Sequence, residues 1–341
     1  MNTQKQNRRW LLRQRPQATI GAEHLELVTE PVPQPGDGEV LVRNIYLSLD
    51  PTHRLWMSDR EQYLPPVEVG QVMRGGTLSV VEESRSDRFA PGDIVKPAIG
   101  GWEEYTLLPE SWVRPVDRHP DIPLSAYMSV LGSTGLTAYF GLLDVGRPKA
   151  GETVVVDAAA GAVGSIVGQI ARLQGCRVIG IAGGADKCRW LTEELGFDGA
   201  IDYRAESVGE RLDALCPDGV DVQFENVGGD IMDAIYTRLN QDGRMALCGM
   251  ISGYNDERPM PGPTDFGRIL MKRLTVRGFI ILDFQERFPE GLSALSQWVL
   301  QGELKWKTHV LEGIEQAQEG LGLLFSGGND GKLMVRLMSE P

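Results

Sequence analysis

"DAAAGAVGSIVGQ", residues 157–169, joins the valine-rich run "TVVV" to an apolar helical pattern and concentrates small residues at the joint. Glycine loses more conformational freedom on folding than any other residue. Gly161 and Gly164 at a strand-to-helix turn therefore point to a backbone that another group must approach closely. The spacing Ala159, Gly161, Gly164 fits the register of a GxGxxG fingerprint with alanine in its first place. In that fingerprint the first residue makes the tight turn, the second lets the main chain approach a pyrophosphate, and the third packs helix against strand. A helix over 162–173 would turn its unbonded N–H groups and positive end toward the phosphates, with Gly161, Ala162, Val163 and Gly164 lining them.

The surroundings supply the context that this motif needs. From Gly151 onward, strand patterns over 153–157, 177–182, 199–202, 220–225, 243–249 and 275–281 alternate with helical patterns over 162–173, 186–195, 205–215 and 231–239. That alternation is the grammar of βαβ units, and six strands make a full doubly wound parallel sheet. The first 130 residues read differently. "EVLVRNIYLSL", "GTLSVVEE" and "GDIVKPAIGGWEEYTLL" are short β-like runs punctuated by Pro and Gly clusters, as in an antiparallel β-rich domain. After a helix near 291–301, "WKTHVLEG" and "GKLMVRLM" return to strand. The expected organisation is an α/β protein: a β-rich domain over 1–134, completed by 305–341, and a Rossmann domain over 135–304.

Length and composition agree with two ordinary globular domains, with 341 residues, 42% hydrophobic and 24% charged. A formal charge of −13 argues against nucleic acid or an anionic membrane as partner. Cys176, Cys188, Cys216 and Cys248 form neither a CxxC pair nor a disulfide-dense pattern, which suits a reducing cytoplasm. The N-terminal "MNTQKQNRRWLLRQRP" lacks the apolar core of a signal peptide and reads as a first strand with a polar lead. No apolar run approaches the roughly 18 residues of a membrane span.

The end of the second strand selects among dinucleotides. A site for NAD usually places Asp or Glu about 20 residues past the glycines, to hold the ribose 2′-hydroxyl. Here the strand ends in Ala182-Gly183-Gly184, with Lys187 close behind. A small uncharged floor beside an ammonium suits a 2′-phosphate, so NADP is the expected cofactor. Asp186 and Lys187 as a helix cap and a solvated charge are the bland alternative. A catalytic zinc would need Cys, His or acid ligands in the β-rich domain, yet all four cysteines lie in the other half and His24, His53, His119 and His309 are scattered. No metal site is expected. "GAVGS" is also not a nucleophile elbow.

These motifs, with "NRRWLL", "YLSLDP", "MSD", "GGW", "GLTAYFGLLDVGRPKAGETVVV", "GFDGAIDY", "ENVGG", "CGMISGYN", "RGFII" and "GGNDGKLMV" in order along nearly the whole chain, resemble the zinc-free medium-chain dehydrogenase/reductases. Within them they resemble the NADPH-dependent enone reductases. The resemblance implies a GroES-like substrate domain, a Rossmann domain and a homodimer. It implies that Lys187 and Tyr203 hold the 2′-phosphate, and that Asn226, Cys248, Gly249, Ser252 and Asn329 contact the nicotinamide side. Tyr254 of "ISGYN" matches a tyrosine beside the substrate carbonyl. The implied reaction adds hydride to the β-carbon of an α,β-unsaturated ketone or aldehyde. Negative charge then grows on the carbonyl oxygen, where Tyr254 would donate.

One departure concerns the substrate. Relatives usually read D-P-Y-M-R where this chain has Asp50-Pro51-Thr52-His53-Arg54, and Ser133-Thr134 stands where they commonly carry Met-Pro or a similar pair. Thr52 and His53 are therefore candidate substrate-pocket residues in a wider or more polar wall, with a lone surface histidine as the plainer reading of His53. Two other functions keep the same fold: an NADPH quinone reductase, and an NADP-binding sensor or structural protein without turnover.

Overall fold

The computed structural model describes residues 5–341. They divide into two compact units, one made of Ser129–Thr308 with Asn329–Lys332, the other of the residues up to Met128 with His309–Gly328 and Leu333–Pro341.

The first of these is built on six strands: β1 (Thr153–Val156), β2 (Arg177–Ala182), β3 (Gly199–Asp202), β4 (Val220–Glu225), β5 (Leu239–Leu247) and β6 (Thr275–Gly278). Their order across the sheet is β3-β2-β1-β4-β5-β6, with every pairing parallel. This is the doubly wound arrangement, whose strand order reverses between β1 and β4. The central strands are buried on both faces because helices cover both. Val154, Val155 and Val156 have no exposed surface, and on one face Val155, Ile179, Ile201, Leu212, Ile235 and Met245 form a single core. Each fully buried aliphatic side chain there contributes about 1.5–3 kcal/mol.

Several boundaries differ from the sequence expectation. The helix after β1 is Gly164–Leu173, because residues 161–163 remain in the turn. β5 begins four residues earlier than the expected 243 and contains Asp242 at φ 61, with its register against β4 shifted nearby. "NQDG" thus has the local conformation of a turn inside a paired strand. β6 stops at Gly278 and gives way to a short helical segment, Ile281–Arg287. The helix after β2 runs over Ala185–Arg189 and continues as a wider turn over Trp190–Glu194. Further helices are Val208–Leu215, Gly229–Tyr236, Arg268–Lys272 and Phe288–Leu300. Helices at Ser133–Phe140 and Ala317–Ser326 were not expected. Both lie in stretches rich in glycine, which lowers helix propensity until packing restores it.

In the other unit, strand Glu39–Ser48 is the hub. It pairs antiparallel with Thr77–Ser84, with Tyr105–Pro109 and with the C-terminal strand Lys332–Arg336, where Met334 faces Ser48. Ile94–Pro97 and Val113–Pro115 extend the sheet on one side, and Thr308–Glu312 on the other. Gln6–Leu12 pairs with Leu25–Pro31, so the basic N-terminal stretch is a strand as expected, apart from the lead 1–4, which lies outside the described residues. Trp10, Leu12, Leu47, Met57, Trp102, Leu321 and Val335 close the core. Among the described residues no helix is long and apolar enough to cross a membrane.

Candidate active site

The turn after β1 is as tight as its composition implies. Ala158 takes φ 42, a left-handed conformation unusual for a residue with a side chain, and Gly161 N–H donates to Ala158 O at 2.8 Å. A Cβ on Gly164 would sit 2.6 Å from Ala158 O and 2.8 Å from Ala159 Cα, both backbone atoms that cannot swing aside. The third fingerprint position thus fixes how closely the helix packs on the strand. Gly164→Ala is expected to lower unfolding free energy by about 1–3 kcal/mol, measured by urea denaturation, with a parallel loss of nucleotide affinity. Gly161 also pairs with Gly331, which brings the "GGNDG" segment and Asn329 to the same turn. There Asn329 Nδ2 donates to Gly331 O at 2.9 Å.

At the ends of β2 and β3 the selecting position is small and the cations are two. A Cβ on Gly183 would meet Tyr203 Oη and Arg204 Nε at 2.9 Å, so glycine is what lets both side chains close over the strand end. The Arg204 guanidinium stands 5.9 Å from the Tyr203 ring centroid. Asp202 Oδ1 accepts from Gly184 N–H at 2.8 Å and from Arg204 N–H at 3.0 Å, which sets the turn that carries Tyr203 and Arg204. Lys187 lies half-buried in the same cluster. Burial holds its ammonium below the usual lysine range, opposed by the negative charge of Asp330 and reinforced by the positive charge of Arg204. Asp186 makes no cap hydrogen bond and pairs instead with Arg189. Arg204 was missed in the sequence, where an exposed arginine carries no signal. The glycine opposite it was the usable clue.

The third group gathers at the ends of β4 and β5. Asn226 donates its backbone N–H to Asp157 Oδ1 at 2.7 Å and its side-chain amide to Asp157 O at 3.0 Å. Cys248 and Gly249 donate to Glu225 O, Ile251 to Asn226 O, and Ser252 to Val227 O, so residues 248–252 are strapped to the end of β4. Tyr254 is buried, and its hydroxyl accepts from Met250 N–H at 3.2 Å. It is not an exposed loop aromatic. A hydroxyl that accepts from a backbone N–H is polarised into a stronger donor. Burial, then the charges of Asp157 and Glu225, push the Cys248 thiol up to about 12.

In the other unit, Thr52 opens a one-turn helix, Thr52–Trp56. The surface placement expected for His53 is overturned, because it has no exposed surface. Its ring lies 5.1 Å from that of Trp56 and 5.5 Å from that of Trp102, with Nε2 3.9 Å from Asp50 Oδ2. The helical turn after Asp50 aims it inward, where two indoles cover it. Tyr63, which the sequence did not flag, reaches Thr52: burial pushes its phenol up, while hydrogen bonds with Trp56 and Thr52 pull it down.

The turn at Ala158–Gly164, the two cations and phenol around Gly183, and the strapped loop 248–254 fit the three parts of a dinucleotide: diphosphate, 2′-phosphate and nicotinamide. Residues 8–116 match a family described as the N-terminal domain of oxidoreductase, and residues 162–297 one described as zinc-binding dehydrogenase. The NADPH-dependent curcumin reductase of Escherichia coli is 43% identical over all of both chains. The chain belongs to the medium-chain dehydrogenase/reductases, in the branch of NADPH-dependent double-bond reductases. Another relative in that branch is the NADP-dependent 2-alkenal reductase of Nicotiana tabacum, 39% identical over 89% of each chain. The crystal structure of CurA in complex with NADPH from Vibrio vulnificus superposes with a TM-score of 0.92 at 42% identity, covering 98% of this chain and 100% of that one. Although one family description names zinc, the residues do not fit it: among the described residues no three His, Cys, Asp or Glu side chains group so as to hold a metal ion.

Proposed function

We propose that this chain uses NADPH to reduce the carbon–carbon double bond of α,β-unsaturated ketones and aldehydes. The observation that carries the reading is the pairing of Lys187 with Arg204 at a strand end that has no carboxylate, together with reductases of this branch as full-length relatives. Bound NADPH supplies a hydride. The main chain at Gly161–Gly164 lines the diphosphate and offers it the N–H groups of Ala162, Val163 and Gly164, which cost no side-chain entropy to order. Lys187, Arg204 and Tyr203 hold the 2′-phosphate. Asn226, with Cys248, Gly249, Ser252 and Asn329, orients the nicotinamide half. Tyr254 donates to the substrate carbonyl oxygen as that oxygen gains negative charge.

Following nicotinamide absorbance with a panel of 2-alkenals, enones and quinones tests this directly. NADPH is consumed with the alkenals and enones, and the product is the saturated carbonyl compound. Consumption with quinones alone, or an allylic alcohol as product, would sink the reading in favour of a quinone or carbonyl reductase. Tight NADPH binding without turnover on any of them would point to a sensor.

The protein is further proposed to be a cytoplasmic homodimer. Its four cysteines are all free thiols. β6 is an edge strand whose four residues are all exposed, and Phe266 and Leu270 beside it are 71% and 73% exposed. A bare edge strand flanked by exposed apolar side chains is a template for pairing with another chain. A second copy joining there covers both. Leu270→Glu with Met271→Glu is expected to convert a species of twice the chain mass to monomer in light scattering, and an unchanged mass would remove this edge from the interface.

A further inference from the structure

Asp157 follows the end of β1 and Glu225 ends β4, on the two sides of the point where the strand order reverses, and neither has any exposed surface. Glu225 accepts three hydrogen bonds: Oε1 from Val227 N–H at 2.8 Å and Gly228 N–H at 2.6 Å, and Oε2 from the Gln223 amide at 2.6 Å. Asp157 Oδ1 accepts twice from Asn226, at 2.7 and 3.1 Å. No donor reaches Asp157 Oδ2, and the remaining bond of this carboxyl is with Glu225. Two ionised carboxylates in contact and out of water repel strongly, so such a pair retains a proton. Glu225 already accepts donated hydrogen bonds on both oxygens whereas Asp157 Oδ2 receives none, so the shared proton sits on Asp157 Oδ2, which donates to Glu225 and leaves the charge there. Consistent with that assignment, burial, then the charge of Glu225 and the bond to it, hold Asp157 well above the usual carboxylate range. The neighbouring titratable group is the Cys248 thiol, which burial and then the negative charge of the carboxyl pair keep protonated.

We propose that Glu225 is a fixed buried anion, proton-bonded by Asp157, that favours the oxidised over the reduced form of the bound nicotinamide and so makes bound NADPH a stronger hydride donor. This rests on the cofactor reading above, in which Asn226, held directly by Asp157, touches the nicotinamide. Ligands of open α/β sheets bind in the crevice at this strand reversal. The oxidised ring carries a positive charge that the reduced ring lacks, so an anion in that crevice discriminates between them by charge alone.

Dissociation constants for NADP+ and NADPH, measured by titration calorimetry on wild type and variants, test the proposal. Asp157→Asn keeps the arrangement, since an amide donates to Glu225 where the acid O–H did, and the ratio of Kd for NADP+ to Kd for NADPH is expected to stay within about twofold. Asp157→Asn with Glu225→Gln removes the charge. The ratio is then expected to rise about tenfold, equivalent to an upward shift of about 30 mV in the potential of the bound two-electron couple. An unchanged ratio in the double variant overturns the proposal, as does an equal shift in Asp157→Asn alone. Wild-type protein that binds neither nucleotide overturns the cofactor reading itself, whereas binding with an unmoved ratio overturns only the role of Glu225. Should the double variant fail to fold, infrared spectroscopy decides: the C=O stretch of a buried carboxylic acid is expected in the wild type near neutral pH and absent in Asp157→Asn, and its absence from the wild type overturns the shared proton.

Discussion

Replacing Lys187 and Arg204 together by alanine is expected to raise KM for NADPH about 300-fold while leaving KM for NADH within about threefold. Each cation makes charge-assisted hydrogen bonds worth about 1.5–3 kcal/mol, and every 1.4 kcal/mol is a factor of ten. Losing two therefore amounts to between two and four decades, moderated because water re-solvates a phosphate at a half-open site. NADH carries a hydroxyl in place of that phosphate and has nothing to lose. The single variants separate the two roles. Lys187 is half-buried with its ammonium disfavoured by burial and by Arg204, so a phosphate dianion relieves more unfavourable energy at Lys187 than at the exposed Arg204. Lys187→Ala accordingly takes the larger share. Steady-state kinetics with both nucleotides checks this, and equal losses for NADPH and NADH would mean that neither residue reads the phosphate.

Arg204 shows where a sequence stops being legible. Strands β2, β3 and β4 are readable to the residue, because buried runs such as "RVIGIA" have no competing pattern and stop at small or charged residues. The first half of β5 is not, since Asp242 adopts the left-handed conformation that "DG" suggests while the chain still pairs on either side of it. Local preference and long-range pairing coexist there, and only the first is encoded nearby. The candidate functional side chains obey the same division. The glycines reveal themselves through their own backbone demands. Arg204 and Tyr63 gain meaning only from Gly183 and Thr52, which other elements bring to them. Asp157 and Glu225 stand 68 positions apart at two strand ends, and only the reversal of strand order makes them neighbours. His53 was misread for the converse reason: a polar residue in a Pro-led turn looks exposed until Trp56 and Trp102 are known to enclose it.

Tyr254→Phe is expected to lower kcat about 100- to 1,000-fold with NADPH affinity unchanged within about twofold. The size is that of removing one donor aimed at a developing oxyanion, because such a donor acts on charge present mainly in the transition state. The phenyl ring keeps the packing that buries this side chain, and what is lost locally is the acceptor for Met250 N–H, a net bond of about 1 kcal/mol at the rim of the loop. That loss is too small to undo the straps from residues 248–252 to β4, which are all main-chain bonds and survive the substitution. Nucleotide binding should then persist while the chemical step fails. Single-turnover decay of NADPH on mixing with a 2-alkenal, beside a fluorescence titration of the nucleotide alone, separates the two. A kcat that stays within threefold of wild type would transfer the carbonyl donor to another group. A matching loss of affinity would mean that the hydroxyl acts by holding Met250 and the loop, in which case Gly249→Ala, whose Cβ would lie 3.0 Å from the same hydroxyl, should reproduce the defect without removing the phenol.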